Sequence, residues 1–361
     1  MKFCPECGVK LVSQKFCHEC GANITKYLNG DTDSSNGLGS SLNFDFSSLQ
    51  SEAEEQLAKQ KMLEDFEIED GVLKKYKGKG GKVVIPKEVK IIGEKAFYWN
   101  RDIQEIIFEG NVSEICDEAF CMCGFLKKIT LPNGLNRMGR DALSATGITN
   151  ITFPKSLTTI GAGAFSHTKL TSVTIPKGVN FVVPLWGRGG VFAKCENLQY
   201  VEVEDGVTII PNYMFDGCSA LQSIIIPDSV VKIGSGAFTG CRSLKSIHLP
   251  QNLTAIEGRT FFECSNLISV TVPNSVTTIG VCAFELCSEL RSVIIPDSVI
   301  KIESMAFARC DNLRTITIPD SVESLHQETF SLCKSMETMK IPKRFADKVY
   351  RGNSNTKVIT Y

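Results

Sequence analysis

The chain of 361 residues contains no apolar run near the roughly 18 residues that a membrane-crossing helix needs. Its start, Met1-Lys2-Phe3-Cys4-Pro5, lacks the apolar stretch of a secretory signal, so export by the standard route is not expected. An excess of one charge is missing as well. Lys and Arg number 39 against 40 Asp and Glu, a formal net charge of −1, so no global field draws the chain to nucleic acid or an anionic membrane. Histidine is scarce, with four in all (His18, His167, His248 and His326), and there is no Gly-x-Ser-x-Gly, Walker loop or dinucleotide fingerprint. The expectation is a protein that is not an enzyme and has no evident small-molecule substrate.

What is present in quantity is repetition. Read from Leu221, a block runs Leu-x-x-Ile-x-Ile-Pro-x-x-Val-x-x-Ile and then Ala-Phe-x-x-Cys. Its prolines recur at Pro227, Pro250, Pro273, Pro296, Pro319 and Pro342, each 23 residues from the last. Earlier anchors stand at Pro86, Glu109, Pro132, Pro154, Pro176 and Glu204, where the spacing falls twice to 22 and then rises to 28. Self-similarity at this period signals a β-rich solenoid, whose units bury their apolar faces only by stacking on one another. Leu221, Ile224 and Ile226 mark a short strand, ended by Pro227 because proline cannot donate to a ladder. Val230 and Ile233 then point inward. The recurrent Phe97, Phe120, Phe165, Phe192, Phe215, Phe238, Phe261, Phe284, Phe307 and Phe330, with Leu143 standing in once, form a packing spine.

Cysteine is also plentiful, at 15, but its placement argues against a secreted disulfide framework. Eight cysteines (Cys123, Cys195, Cys218, Cys241, Cys264, Cys287, Cys310 and Cys333) each follow the spine aromatic by three residues. Stacked thiols about 5 Å apart would invite mispairing in an oxidising space, so a reducing, cytoplasmic home is expected. Each is read as a small buried hydrophobe whose weak donor reaches a backbone carbonyl.

Four more cysteines form Cys4-Pro5-Glu6-Cys7-Gly8 and Cys17-His18-Glu19-Cys20-Gly21, two knuckles separated by nine residues. Two Cys-x-x-Cys knuckles, each with a glycine behind it, bring four sulfurs into the tetrahedron of one closed structural Zn2+ site. A redox Cys-Pro-x-Cys is the rival, but it needs a strand–helix context and no second pair. His18 is a bystander, and the arrangement resembles the short zinc ribbons at the N-termini of many bacterial proteins.

The organisation that follows is a zinc ribbon over 1–24, a flexible linker with a short helix-forming stretch over 25–65, a repeat solenoid with an N-terminal hairpin cap over 66–343, and a C-terminal cap over 344–361. The six-residue excess lies in Asn180 to Gly190 and carries Trp186 beside Arg188, residue types enriched at binding hot spots. On the outward strand positions small Ser and Thr dominate, and Tyr200, Glu202, Ile225, His248 and Ile294 stand out.

The run Ile-Pro-x-x-Val-x-x-Ile-Gly-x-x-Ala-Phe-x-x-Cys, best kept from Ile226 to Cys241 and from Val272 to Cys287, resembles the BspA-like, Treponema pallidum type of leucine-rich repeat. The resemblance covers about residues 66–343. It implies a right-handed, curved coil with a parallel sheet, used for protein binding, and some secreted members are surface adhesins. The expected function is a cytoplasmic, non-enzymatic interaction scaffold tethered to a structural zinc ribbon. The alternatives are a cell-surface adhesin exported by an unusual route and a nucleic-acid-associated ribbon protein. The last has only Lys2, Lys10, Lys15 and Lys26 beside Glu6 and Glu19 in its favour.

Overall fold

A computed structural model describes residues 63–182, 189–349 and 354–361, and the compact unit it shows runs from Phe66 to Tyr361. The proposed ligands Cys4, Cys7, Cys17 and Cys20, the 25–62 segment, and Trp186 and Arg188 lie outside the described residues.

The described residues form a β-solenoid of about 12 turns with parallel sheets and almost no helix. It opens with an antiparallel hairpin, β1 (Phe66–Glu69) and β2 (Val72–Tyr76), closed at Asp70 and Gly71, whose φ values of 49° and 75° suit a tight left-handed turn. Strand β3 (Gly81–Ile85) then starts the first wall of the coil, pairing in parallel with Ile103–Phe108. The hairpin is therefore tighter than the glycine-rich spacing suggests, because Asp70-Gly71 supplies the turn and the Gly78 to Gly81 stretch becomes the link to the coil.

Each turn carries two walls. The first is the strand read from Leu-x-x-Ile-x-Ile, as in Ser172–Ile175, Tyr200–Val203 and Ser223–Ile225, with alternating exposed and buried residues. The second, absent from the sequence reading, is a two-residue ladder at Val-x-x-Ile. Lys301–Ile302, for example, pairs with both Thr278–Ile279 and Ser324–Leu325. Two residues are too short a run to show the alternation that betrays a strand.

The third side is the Ala-Phe turn, and its backbone is unusual. Left-handed residues stand two before and two after the phenylalanine, such as Glu118 (φ 55°) and Met122 (φ 65°) about Phe120. With this alternation every second turn N–H points toward the following coil: Lys95, Phe97 and Trp99 donate to the carbonyls of Asp117, Ala119 and Cys121, while Ala96, Tyr98 and Asn100 donate within their own turn. The same pattern continues to Phe307 and Arg309, which donate to Thr329 and Ser331.

Between the walls the phenylalanines stack at 4.7 to 5.8 Å between centroids, with ring planes within 15° of parallel. All ten are almost fully buried. Where Leu143 breaks the stack, Phe153 swings in and meets Phe165 edge-on at 5.5 Å, replacing part of the lost volume.

Each of the eight phased thiols donates to the carbonyl of the phenylalanine one coil earlier, from Cys123 to Phe97 (3.0 Å) through to Cys333 to Phe307 (3.1 Å). In the two 22-residue turns Thr146 and Thr168 take the cysteine's place. Thr146 donates to Leu143 and Thr168 meets the Cys195 sulfur at 3.2 Å. The missing residue falls there: Cys-x-x-Leu shortens to Thr-Gly-Ile and Thr-Lys-Leu.

At the far end, the 3-10 turn Lys343–Phe345 buries Phe345 against the last coil, and Lys357–Thr360 adds a parallel strand beside Thr338–Ile341.

Candidate functional site

The first wall turns one face to solvent, and register decides which residues meet on it. Glu202 lies beside Thr174 on one side and Ile225 on the other, and Tyr200 lies beside Ser223. Ser246 bridges Ser269, which puts His248 level with Thr271, and Thr271 pairs with Ile294. Glu202 and Ile225 are thus ladder neighbours, and His248 and Ile294 flank Thr271 in a second ladder. The 23-residue period sets all of them at one repeat phase, with Tyr200 at the phase two residues before. Strands in a sheet lie about 4.8 Å apart, so the four coil steps from Glu202 to Ile294 span roughly 19 Å.

All five side chains are exposed, Ile225 at 52% and Ile294 at 65%. Around them Ser223, Ser246, Ser269 and Ser292 present hydroxyls. This is a flat, nearly neutral surface with two aliphatic knobs, one phenol, one imidazole and one carboxylate. Among the described residues no three His, Cys, Asp or Glu side chains converge to hold a metal ion.

The six-residue insertion does not root on this face. The chain leaves after Asn180–Phe181, which pairs with Thr159–Ile160 in the second wall, and re-enters at Gly189 and Gly190. Gly190 is needed where it stands, because a Cβ there would lie 1.7 Å from the Tyr213 carbonyl oxygen. Phe165 still donates to the carbonyl of Val191 at 2.9 Å, so the turn ladder crosses the insertion unbroken.

The phased cysteines are buried in the core. Burial pushes Cys123 and Cys333 up to about 12, and Cys218, Cys241, Cys287 and Cys310 rise well above the ordinary thiol value for the same reason. At Cys195, by contrast, burial is outweighed by hydrogen bonds from Cys218 and Thr168, which lower it. Once the coil is formed these sulfurs are out of reach of solvent oxidants, so the mispairing argument bears on the folding chain rather than on the finished one.

Reading the strands alone misses a second exposed cluster, on the turn side: Tyr98, Trp99, Met122 and Phe125. The signal was available, since Trp99 and Met122 occupy the same repeat position, two after the spine phenylalanine.

Fold and face together define a leucine-rich-repeat coil with an open strand surface. The pattern described as a BspA type leucine-rich repeat region in six copies matches residues 67–183, 188–288 and 254–357, and the chain belongs to that family. Among solved structures, the T. pallidum leucine-rich repeat protein is 30% identical over 50% of this chain and 88% of its own, with a TM-score of 0.45. A leucine-rich repeat protein from Bacteroides ovatus is 24% identical over 81% of this chain and 94% of its own, with a TM-score of 0.42. The pneumococcal vaccine antigen PcpA is 21% identical over 78% of this chain and 79% of its own, and its TM-score of 0.53 reflects the shared fold. No curated protein matches the chain in sequence. Among the described residues no helix is long and apolar enough to cross a membrane.

Proposed function

We propose that this chain is a non-enzymatic scaffold that holds a protein partner on the strand face around Tyr200, Glu202, Ile225, His248 and Ile294. A structural zinc ribbon at Cys4, Cys7, Cys17 and Cys20 completes it. The observation that carries this reading is the shared phase itself. Two isoleucines stand half or more exposed at one repeat phase, where other turns such as those of Thr174, Thr271 and Thr317 carry Thr. The coil gains little from them there, whereas a partner that covers them removes apolar area from water at about 25 cal/mol per Å².

The reading keeps the chain in the cytoplasm, with a cell-surface adhesin as its rival. One experiment tests both aspects. A membrane-impermeant cross-linker is applied to intact source cells and, separately, to their lysate, for the wild-type chain and for an Ile225→Asp/Ile294→Asp variant. The expected outcome is a discrete cross-linked partner only after lysis, lost in the variant with a penalty of about 2 kcal/mol or more. Because both side chains are exposed, stability should stay within about 0.5 kcal/mol per substitution. Cross-links on intact cells would make the adhesin lead, and a partner retained by the variant would sink the face as the site.

A further inference from the structure

The cluster on the turn side of the first coils is not explained by packing. Trp99 is 52% exposed and Phe125 58%, with Tyr98 and Met122 exposed beside them. Three of the five exposed aromatic side chains among the described residues fall within these two turns. Their directions are fixed by the backbone. Trp99 and Met122 have φ of 57° and 65°, and their N–H groups donate to the carbonyls of Cys121 and Ser144 at 2.9 Å each. A left-handed residue other than glycine costs about 1–2 kcal/mol, and other turns fill this repeat position with small or polar residues such as Ala145, His167, Lys194, Gly217 and Glu263. The turn itself does not require a tryptophan there.

Beside the cluster lies a groove of about 400 Å³, lined among others by Lys75, Tyr76, Trp99, Arg101 and Asp102. The Arg101 guanidinium carbon sits 5.2 Å from the Trp99 ring centroid. Neither Arg101 nor Lys75 is in an ion pair among the described residues, whereas Lys95, also on the groove, lies 3.4 Å from Glu94 and 3.7 Å from Glu118. An apolar shelf with two cations at its edge that carry no ion pair among the described residues fits one kind of occupant.

We propose that this groove docks a linear peptide segment of a partner protein, one that sets an aromatic or aliphatic anchor against Tyr98 and Trp99 and a carboxylate against Arg101 or Lys75. Nucleic acid fits less well. A phosphate backbone needs several free cations in a row, and here Glu94, Asp102 and Glu118 stand among the basic residues. The site is distinct from the strand face and does not depend on it.

The test uses the full chain carrying Trp186→Phe, so that Trp99 is the one fluorescent indole. A random peptide display library is selected against it, and the consensus peptide is synthesised and titrated. The expected consensus pairs one large apolar residue with Asp or Glu a few positions away, and its binding shifts the Trp99 emission. Arg101→Glu should weaken binding at least about tenfold, and a peptide with Lys in place of the acid should recover it. Trp99→Ala should abolish binding while the circular dichroism stays that of the parent.

No such consensus, or a consensus peptide indifferent to both Trp99→Ala and Arg101→Glu, would overturn the proposal. Two other results would also overturn it by giving the groove a different occupant. One is an oligothymidine that shifts Trp99 emission where peptides do not. The other is concentration-dependent self-association, seen in sedimentation and lost in Trp99→Ala.

Discussion

At the scale of single residues, the cysteine file shows what a repeat can state in advance and what it cannot. That thiols at one phase would be buried and would reach a carbonyl followed from their period and size. Which carbonyl did not follow, because the acceptor belongs to the previous coil and depends on how the turns stack. From Phe192 to Phe307 each Phe carbonyl takes two donors, the N–H of its own coil's cysteine and the S–H of the next, as at Phe192 with Cys195 and Cys218. A thiolate would lose that donor and sit unsolvated. An exposed thiol titrates near 9.0, while burial lifts Cys123 and Cys333 to about 12. The unfolded chain therefore releases these protons first as pH rises. Stability is full below about pH 9 and drains toward about pH 12, by up to ~1.4 kcal/mol per pH unit for each thiol that burial raises. Melting temperature followed from about pH 8 to 11 should fall steeply, and Cys264→Ser should flatten the slope. An unchanged slope in that variant would remove the thiols from the account.

Within a turn, the elements differ in how much they announce themselves. The first wall is legible from Leu-x-x-Ile-x-Ile and its terminating proline. The second wall is not, since Thr278–Ile279 holds together only by pairing with the coils on either side, and Lys232–Ile233 only by pairing with the coil before it. A third feature needs the structure to be seen at all. Ser229, Ser275, Ser298 and Ser321 each donate a hydroxyl hydrogen bond to a carbonyl of the previous coil, at 2.7 to 2.9 Å. One step further on, Arg344 occupies the serine's place in the repeat. Its guanidinium donates to the carbonyls of Asp320 (2.5 Å) and Val322 (2.7 Å) and to the Asp320 carboxylate (2.6 Å). It closes a ladder that has no further serine to continue it. Arg344→Ala should cost about 1 kcal/mol, discounted for its exposure. Amide hydrogen exchange should quicken from Ile318 to Val322 and stay unchanged around Phe238. Uniform acceleration along the coil would mean that Arg344 is no local cap.

At the scale of the whole molecule, the period of 23 made the solenoid readable before any coordinates, since no other architecture needs an aromatic and a small apolar residue at fixed phase through so many turns. The binding residues were only half readable. Tyr200, Glu202, Ile225, His248 and Ile294 could be picked as odd outward residues, but which of them are ladder neighbours is a matter of register. The Trp99 cluster belongs to a side of the coil where the period of two does not operate. The doubled Cys-x-x-Cys is chemistry of a separate kind, and it should behave separately. Cys17→Ser should abolish stoichiometric zinc in metal analysis of the full chain while the coil keeps its cooperative melt, and loss of that melt would mean that the two parts do not fold independently. The turn side has one more consequence, and it is electrical. Alternate peptide units of each turn point the same way, toward the following coil, so their dipoles add along the coil as they do along a helix. Among the described residues the carbonyls of Glu94 and Tyr98 accept no backbone hydrogen bond at one end, and the amides of Phe330 and Leu332 donate none at the other. A chain of almost zero formal charge is thereby given a negative and a positive pole, and an approaching partner meets a molecule with a direction.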